Sequence, residues 1–413
     1  MKAAEFFTFP RTRCRLYAGP LGPYIDRFAN QLHEQGYARR TSRTKLSTVA
    51  RFSYWLQQRK LGLETVNADQ FKRFLAYRKR IGRGGSDDTT IWQALAAVMP
   101  GQRVAQVSGA PETASEQERA AQDFRHYLSQ TRGLSAATQR CYLPVVARFL
   151  RDAFGDGPLR FDRLSVTDVT AFVRRHARGS SHSRAQLVVK ALRAYLRYLH
   201  HHGKLGRDLA ACVPTVAAWS LASLPALLRP EQVQHVLDQC PRDTAAGRRN
   251  YAMLLLLARL GLRAGEVAAL TLDDIDWYAG RLVIRNKGGH RTPMPLPHDV
   301  GQALADYLLD GRPACADRRV FIRDHAPRRG LTGSREVSAV AARALVRAGI
   351  KLPHQGAHLF RHSLASEMLH QGASLAEIAQ LLRHHHPDTT RIYAKVDLSA
   401  LRELALPWPG GGS

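Results

Sequence analysis

The sequence predicts a mainly α-helical, multidomain protein with a small β-sheet in its C-terminal half. Three observations predict this fold class. The chain has 413 residues, enough for two or three domains with separate cores. Apolar residues recur at helical spacing through most of it, and they make up 45% of a composition typical of globular proteins. One stretch, "RLVIRNKGGHRTPMPLP" (281–297), has two short extended runs around a Lys-Gly-Gly-His tip and predicts a β-hairpin.

The charge balance predicts a polyanionic partner. The chain has 61 Lys and Arg against 34 Asp and Glu, a formal net charge of +27 and a pI near 10.7. Such a surface attracts nucleic acid, the commonest polyanion. Residues 1–110 alone hold 19 Lys and Arg against 7 Asp and Glu, a net charge of +12 (19 − 7). The alternative is a generally basic protein from a genome that favours arginine codons.

The first half of the chain is helical in pattern and repeats itself. "GYARRTSRTKLSTVARF" (36–52) aligns with "GLSAATQRCYLPVVARF" (133–149) at an offset of 97 residues. Residues common to both copies include Gly36, Thr41, Leu46, Val49, Ala50, Arg51 and Phe52 of the first copy. The repeat predicts a duplicated helical module, with chance similarity as the alternative. Between the copies, residues 106–119 are small, polar and Pro-containing, as linkers are.

The second copy ends in a predicted helix over residues 183–202. Its core face repeats at three- and four-residue spacing through Val188, Leu192, Tyr195 and Leu199. Another face carries the basic residues Lys190, Arg193 and Arg197. This basic stripe is a candidate for contacting DNA phosphates. A solvated charged face explains the pattern of this helix equally well.

After a second linker, residues 214–225, the pattern changes to shorter helices around the predicted hairpin. "RPEQVQHVLDQC" begins a helix with Pro230 in its first turn, and an apolar helix follows over residues 246–260. From about Val300 onward the pattern is helical again. The C-terminal half is therefore predicted to be mainly α with a small sheet.

Composition also argues against membrane-spanning and disulfide-rich classes. The most apolar run, residues 251–262, spans about 12 residues and contains Arg259, so it predicts a buried helix and not a membrane span. The N-terminus lacks an apolar core long enough for a signal peptide. Five cysteines lie far apart without a C-x-x-C pair, which argues against a disulfide framework or a zinc ribbon and fits a reducing cytoplasm.

Four short stretches of the C-terminal half place polar residues where a purely apolar core has no use for them. They hold Arg263 and Glu266 in "LGLRAGEVAAL", Lys287 in "NKGGHR", His358 and Arg361 in "HLFRH", and His384 and Tyr393 in "LLRHHHPDTTRIYAKV". Each has an ordinary structural explanation when taken alone, such as an intrahelical ion pair or a core tyrosine. Together, two arginines, a lysine, two histidines and a tyrosine without clustered carboxylates predict a centre that acts on a negatively charged phosphorus.

The chemistry of phosphodiester cleavage needs these residue types. An arginine guanidinium donates two parallel hydrogen bonds to phosphate oxygens and stays charged at any working pH. A preorganised donor of this kind typically contributes about 10² to 10³ in rate. Tyrosine, with an ordinary pKa of about 10, attacks only with help from positive neighbours or a base. Lysine can protonate the leaving oxygen, and histidine can exchange protons.

A metal is not needed for this set of residues. His358 and His362 stand at the i, i+4 spacing of a metal pair, but the adjacent Glu of H-E-x-x-H and a nearby third ligand are missing. Neither a metal nor a cofactor is therefore predicted.

The C-terminal half resembles the tyrosine recombinase (phage integrase) family. The family pattern is G-L-R-x-x-E, a hairpin lysine, H-x-x-R, then L-x-H and a tyrosine nine residues after that histidine. Carried over by position, the resemblance implies the catalytic set Arg263, Lys287, His358, Arg361, His384 and Tyr393, with Tyr393 as nucleophile and Glu266 in support. Counting nine residues back from Tyr393 selects His384 and leaves His385 and His386 outside the set.

Two departures from the family pattern stand near the implied site. Arg383 occupies the position before the second histidine, where the family usually has glycine. The hairpin has Asn286, His290 and Thr292 where the family often has Gly, Lys and Arg. Neither change touches an implied catalytic residue.

The resemblance also implies a domain plan. It implies an additional N-terminal helical DNA-binding-type domain (1–110), a helical SAM-like core-binding domain (111–213), a linker (214–229), a mixed α/β catalytic domain (230–396), and a C-terminal docking segment and tail (397–413). The apolar stripe within residues 396–409 is expected to dock on a neighbouring protomer, with closure of its own domain's core as the alternative.

The expected function is site-specific recombination of double-stranded DNA through a 3′-phosphotyrosine, for integration, excision or transposition of a mobile element. The expected assembly is a homotetramer on DNA, or one formed with a related recombinase partner, in the cytoplasm and associated with the nucleoid. Two alternatives remain open at this point. A type IB topoisomerase uses nearly the same residues as a monomer, and a catalytically silent DNA-binding protein could keep the fold, although a binder has no use for the nucleophile.

Overall fold

The structure, a computed structural model, describes residues 2–82, 88–99, 115–216, 226–285, 290–353, 355–384, 390 and 393. By their internal contacts, the residues form two compact units: Met1–Val104 together with Ser223–Ser413, and Ala105–Ala222. Among the described helices, none has the length and apolar character that crossing a membrane requires. The C-terminal stretch 396–409 and the hairpin tip with Lys287 lie outside the described residues.

The N-terminal segment of the first unit is built around one long helix. Its described helices are α1 (Pro10–Leu16), α2 (Ile25–Glu34), α3 (Arg39–Gln58), α4 (Ala68–Arg80) and α5 (Asp88–Ala96). α3 contacts the other four. It buries Leu46, Val49, Phe52 and Leu56 at three- and four-residue spacing, which is the core-facing stripe of an amphipathic helix.

The second unit contains four described helices. They are α6 (Glu116–Gln130), α7 (Ala136–Phe154), α8 (Val166–Ala177) and α9 (His182–His201). Ser115 and Ser165 cap the first turns of α6 and α8, each in a reciprocal capping box with the residue three positions on. Tyr195 of α9 is fully buried and packs edge-on against Phe124 of α6, with ring centroids 5.0 Å apart. α9 confirms the predicted helix over 183–202 to within one residue at each end.

The two repeated sequences fold into the same order of elements. In each, a glycine with positive φ (Gly36, +74°; Gly133, +57°) precedes the long helix, α3 or α7. A 3-10 turn then follows, Leu63–Thr65 in the first copy and Phe161–Arg163 in the second, and the next helix starts after it. Only glycine adopts such a left-handed backbone without steric cost, which explains its presence at both positions. This shared order is what a duplicated module predicts.

The C-terminal segment of the first unit packs around a helix whose middle is buried on all sides. Its elements are α10 (Pro230–Asp238), α11 (Ala245–Leu260), α12 (Ala264–Ala269), β1 (Ile275–Asp276), β2 (Arg281–Arg285), β3 (Arg291–Pro295), α13 (His298–Asp310), α14 (Ser334–Arg347), α15 (His358–His370) and α16 (Leu375–Leu381). Residues 252–257 of α11 are all buried, and α11 contacts α10, α12, α13, α14 and α15. The predicted apolar helix over 246–260 is thus the central helix of this segment.

The predicted hairpin is confirmed as β2 and β3, which pair antiparallel from Arg281↔Pro295 to Arg285↔Arg291. Pro293 and Pro295 lie on β3, an edge strand of the three-stranded sheet β1-β2-β3, where the missing N–H groups are tolerated. β1 was not predicted, because two residues are too few to show the alternating pattern of a strand.

The expectation that the chain is helical from Val300 onward is wrong for residues 311–333. Gly311 and Pro313 end α13, and the guanidinium of Arg312 then donates to backbone carbonyls of Asp317 and Arg319. These bonds satisfy carbonyls that a helix would have paired internally. Turn-forming residues therefore outweigh the helical spacing in this loop.

The end of α11 requires a glycine. Gly261 has φ +57°, and a Cβ at this position would lie 2.7 Å from Leu382 Cδ2 and 3.1 Å from Leu364 Cδ2. Gly280, between β1 and β2, has nearly the same φ (+60°), but a Cβ there would meet no atom within 4 Å. Alanine substitutions at Gly261 and Gly280 therefore separate the cost of a left-handed backbone from the cost of crowding by neighbouring side chains.

We predict that Gly261→Ala lowers the free energy of unfolding by about 2–5 kcal/mol, since a left-handed non-glycine residue costs ~1–2 kcal/mol and overpacking adds ~1–3 kcal/mol. Gly280→Ala should lower the free energy of unfolding only by the contribution of the left-handed backbone. Hydrogen exchange of the α11 amides in the full-length chain, followed as a function of urea, measures both. Equal destabilisation by the two variants would show that the contact with Leu382 is not tight.

Candidate active site

Four helix ends meet at the candidate site. α11 ends at Gly261, α12 is capped by Arg263, α15 begins at His358, and α16 ends just before Leu382. α15 packs on both α11 and α16. Because helix ends leave backbone groups unpaired, they present polar backbone atoms to the same small volume.

Arg361 is the most deeply held cation of the site. It is 4% exposed, and its two terminal nitrogens donate to the carbonyls of Gly261 and Leu382. Burial, followed by the charges of Arg263 and Arg383, lowers the pKa of Arg361 to about 10. It therefore stays protonated at pH 7, and its guanidinium is fixed in place by two helix ends.

Glu266 is a buried carboxylate that joins two arginines. Its Oε1 accepts from Arg263 Nη1 at 2.8 Å, and its Oε2 accepts from the Arg263 backbone N–H at 2.8 Å and from Arg383 Nη2 at 3.0 Å. Burial alone would raise the pKa of Glu266, but the hydrogen bonds from Arg263 and the charge of Arg383 outweigh it and lower the pKa. Arg263 remains about one-third exposed, so part of its guanidinium faces solvent.

Tyr393 lies inside the site with its hydroxyl on a histidine. The residue is 1% exposed, and its Oη lies 3.0 Å from Nδ1 of His362. Burial raises the pKa of Tyr393, while the charges of Arg361 and Arg263 act against this rise. Burial, then His358 and Arg361, lowers the pKa of His362. A neutral imidazole nitrogen is thus placed to accept the phenol proton.

The other two histidines of the predicted set are close by. The His384 ring lies parallel to the Tyr393 ring, with centroids 6.4 Å apart, and its Nδ1 is 2.7 Å from Thr390 Oγ1. Burial and the nearby arginines lower its pKa to about 4. His358 stands one turn before His362, with ring centroids 6.2 Å apart, and burial followed by Arg361 also lowers its pKa. All three histidines are therefore neutral at pH 7 in the absence of a ligand.

Lys287 lies outside the described residues, but the base of its hairpin is held firmly. The cross-strand pair Arg285 and Arg291 places two like charges opposite each other. Both reach Asp274 Oδ1, at 3.0 and 3.6 Å. Asp274 is 1% exposed, and Thr271 also donates to its carboxylate at 2.6 Å. The buried carboxylate of Asp274 offsets the repulsion between the two arginines and fixes the last residue pair of β2 and β3.

The described residues of the predicted set converge. Arg263 and Arg361 connect the set: Arg263 is bonded to Glu266, and the charges of both arginines act on the pKa of His358, His384 and Tyr393. His362 and Arg383 also contact this set, although neither was predicted from the sequence to belong to it. His362 follows Arg361 directly in the H-x-x-R stretch, and Arg383 precedes His384, so proximity in sequence was the available signal.

The predicted basic stripe on α9 is not uniform. Lys190 and Arg197 are exposed, whereas Arg193 is half-buried and donates to the Val213 carbonyl at 2.9 Å. Arg193 thus ties the end of the second unit to α9. Its contact with DNA stays a prediction, as do those of Lys190 and Arg197.

In the part of the chain that the structure describes, no group of three or more His, Cys, Asp or Glu residues could hold a metal ion. Among the described residues, the groups that act on Tyr393 are two arginines, Arg361 and Arg263, and the imidazoles of His362 and His384. Such an arrangement can bind an anionic oxygen and move a proton.

Comparison with known proteins gives matches over most of the chain. Residues 226–399 match the model of the phage integrase family, and residues 121–203 match that of the phage integrase N-terminal SAM-like domain. A candidate integrase/recombinase of Sinorhizobium fredii, y4rA, is 45% identical over 95% of both chains. The tyrosine recombinase XerD of Listeria monocytogenes is 30% identical over 68% of this chain and 96% of its own length.

Solved structures share the fold. The XerH site-specific recombinase, bound to its difH substrate after cleavage, is similar with a TM-score of 0.55 and 18% identity, over 70% of this chain and 84% of XerH. A lambda integrase fragment, crystallised as a dimer on a core site, has a TM-score of 0.51 and 17% identity, over 67% of this chain and 94% of the fragment.

We predict that the contact between His362 and Tyr393 exists in the free protein. In protein with ¹⁵N-labelled histidine, Nδ1 of His362 should be unprotonated at pH 7. Because its pKa is lowered from 6.5, the ring should gain a proton only below that pH. Tyr393→Phe should shift the His362 Nδ1 resonance and leave His370, an exposed histidine on the same helix, unchanged. An unmoved His362 resonance would contradict the contact.

Proposed function

The chain belongs to the phage integrase family, the tyrosine recombinases, enzymes that cut and rejoin DNA at specific sites, and we propose that Tyr393 is its nucleophile. The observation that supports this assignment is the position of the Tyr393 hydroxyl, which lies against His362 beside Arg361, Arg263 and His384. The relatives are integrases and recombinases over most of their length, so neither a topoisomerase nor a silent DNA-binding protein is favoured.

Cleavage in this proposal is a balanced displacement at phosphorus. The Tyr393 oxygen attacks the scissile phosphate and forms a Tyr–O–P bond while the phenol proton passes to His362 Nδ1. The P–O5′ bond breaks, and Lys287 gives its proton to the 5′ oxygen. Arg263 and Arg361 bind the non-bridging oxygens, and His358 and His384 donate to the same phosphate. The bond energy is kept in the 3′-phosphotyrosine, so a 5′ hydroxyl can later attack and rejoin the strand.

Glu266 supports this chemistry by holding Arg263 through both carboxylate oxygens. A guanidinium held in this way loses little rotational freedom when the phosphate arrives. The proposal therefore keeps Glu266 as a supporting residue that does not touch the reacting atoms.

The proposed domain plan follows the predicted boundaries. Residues 111–213 form the core-binding domain and 230–396 the catalytic domain, in line with the two family matches. Residues 1–110 form an additional DNA-binding domain, supported by their net charge of +12 (19 − 7) and by the shared order of elements. Exchange between two duplexes needs four cleavages, so we propose a tetramer on DNA, formed by this chain alone or with a related recombinase.

The proposed biological role is integration, excision or transposition of a mobile element, with the protein acting on nucleoid DNA. The integrase/recombinase names of the relatives support this role. The proposed DNA contacts of Lys190 and Arg197 on α9 are supported by their exposure.

We predict that Tyr393→Phe abolishes the covalent adduct, a loss of at least about 10³ in rate, because only the attacking oxygen is removed. The binding site is first selected from a random duplex library with wild-type protein. A duplex of that sequence with a nick near the scissile phosphate then traps the adduct, which is resolved on a denaturing gel.

Two controls make this prediction specific. Tyr278→Phe removes the hydroxyl of a fully exposed tyrosine of the same segment and should leave the adduct yield unchanged. The affinity of Tyr393→Phe for the duplex should match that of the wild type. An adduct formed by Tyr393→Phe would exclude Tyr393 as the nucleophile.

A further inference from the structure

The N-terminal segment carries a basic cleft outside the candidate active site. Two adjoining cavities, of about 720 and 370 Å³, share Ser47, Arg51 and Arg78 in their walls. The basic cleft is defined by the six arginines of these walls: Arg15, Arg40, Arg43, Arg51, Arg59 and Arg78. Among the residues that the structure describes, neither wall contains an aspartate or glutamate. A concentration of cations without carboxylates favours a polyanionic ligand.

Five of the six arginines of the basic cleft are exposed to solvent. Arg15, Arg40, Arg43, Arg51 and Arg59 are exposed. In the described part of the chain, none of these five forms an ion pair. By contrast, Arg249, Arg285 and Arg383 of the C-terminal segment are bound to carboxylates.

Aromatic rings lie between the arginines. Arg59 stacks over Trp55 at 4.1 Å, and Arg43 lies 5.6 Å from the Phe7 ring. Tyr54, 56% exposed, stands in the same wall. Stacking holds a guanidinium flat and leaves its N–H edge free to donate to phosphate oxygens.

The spacing of the basic cleft suits a nucleic-acid backbone. Arg40, Arg43 and Arg51 lie on α3, and 11 residues separate the first from the last, about 16 Å of helix axis at ~1.5 Å per residue. Duplex DNA places one phosphate per strand about every 3.4 Å of its axis, so these arginines can follow several phosphates. The 97-residue repeat also matches Arg43 and Arg51 with Arg140 and Arg148 of α7. Both modules thus carry the same pair of arginines.

We propose that the basic cleft binds the phosphate backbone of duplex DNA next to the site that the catalytic segment cuts. The inference rests on the proposed recombinase function and extends it to a second contact surface. The bound duplex lies along α3, with Arg43 and Arg51 on its phosphates.

The test compares two pairs of substitutions in the full-length chain. Arg43→Gln with Arg51→Gln removes two charges from the basic cleft. Arg27→Gln with Arg73→Gln removes two exposed charges from α2 and α4 outside it. Fluorescence anisotropy with a duplex that carries the selected site and 20-base-pair flanks gives the affinity at several salt concentrations. Circular dichroism checks that all variants are folded.

The slope of log K against log salt should become shallower by about 1.8 for the cleft pair, since each phosphate contact contributes about 0.9. The control pair should change it far less. Equal slopes for the two pairs, or tighter binding to a single strand than to a duplex of equal length, would overturn the proposal. The nicked-substrate experiment distinguishes failure of this proposal from failure of the proposed recombinase function. If only the proposal about the basic cleft is wrong, the wild-type protein still forms the covalent adduct. If the recombinase function is wrong, the wild-type protein forms no adduct.

A second inference comes from an independent feature, the backbone of Arg383. Its φ is +55°, and among the described non-glycine residues only Lys60 shares a positive φ. Such a conformation is strained in a non-glycine residue and persists where surrounding contacts hold it. In Arg383 the side chain supplies those contacts.

Arg383 connects three elements of the site. Its Nη2 donates to Glu266 on α12, and its Nη1 donates to the Leu381 carbonyl at 2.9 Å and touches Met294 Sδ of β3. Its own carbonyl lies 3.5 Å from Arg263 Nη2. Since His384 is the next residue, the left-handed turn at Arg383 sets the direction in which His384 leaves α16.

We infer that Arg383 is a positioning residue that places Arg263 and His384 through Glu266, and this too rests on the proposed function. It touches no reacting atom. Its effect therefore falls on the rate of adduct formation and leaves DNA affinity unchanged.

The test is a double-mutant cycle. Arg383→Gln should slow adduct formation by about 10-fold to 100-fold with an unchanged Kd, and Arg383→Lys should recover part of the rate. In a Glu266→Ala background, Arg383→Gln should cause little further loss, because the oxygen that accepts from Arg383 is already gone. Lys60→Gly, which relieves the other left-handed residue, should leave the rate unchanged.

Fully additive losses in the cycle, or a matching loss of DNA affinity, would show that Arg383 only stabilises the fold. A wild-type protein without adduct would instead contradict the recombinase function itself.

Discussion

The structure of the site depends on an excess of positive charge that its own carboxylates do not neutralise. Arg263, Arg361 and Arg383 surround one buried carboxylate, Glu266. Removing such charges from water is costly unless they are paired and hydrogen-bonded. The backbone carbonyls of Gly261 and Leu382 supply the remaining bonds, and they can do so only because two helices end there. A phosphodiester brings the negative charge that completes the arrangement.

The same constraint explains the sequence around the site. Gly261 is needed because its carbonyl must reach Arg361 while Leu382 packs against its α-carbon. The buried apolar residues 252–257 of α11 provide a rigid support, since the free energy from burying these side chains offsets the cost of holding cations beside them. The hairpin shows the same kind of pairing, because the buried carboxylate of Asp274 binds two arginines. Each buried charge is thus tied to a particular helix end or strand pair.

The sequence predicted what depends on local pattern and on spacing within the motifs. α11, α9 and the hairpin followed from periodicity, and His358 and Arg361 share a helix face because they are one turn apart. The spacing of His362 indicates only a possible metal ligand, because its contact with Tyr393 joins residues 31 positions apart. The sequence marks Arg383 only as a departure from the glycine usual in the family. Its role depends on Glu266, 117 residues away, and such pairings are fixed by tertiary packing, which no local pattern reports.

The electrostatics of the site also link substrate binding to proton transfer. His358, His362 and His384 have lowered pKa values because burial and the arginines disfavour a further positive charge. A bound phosphate opposes the arginine charge, so it raises the proton affinity of each imidazole at the moment when the phenol must lose its proton. In the proposed mechanism, the same His362 nitrogen then holds that proton and returns it to the tyrosine oxygen when a 5′ hydroxyl attacks. By microscopic reversibility, one set of groups serves both cleavage and rejoining, which a reaction that conserves bond energy requires.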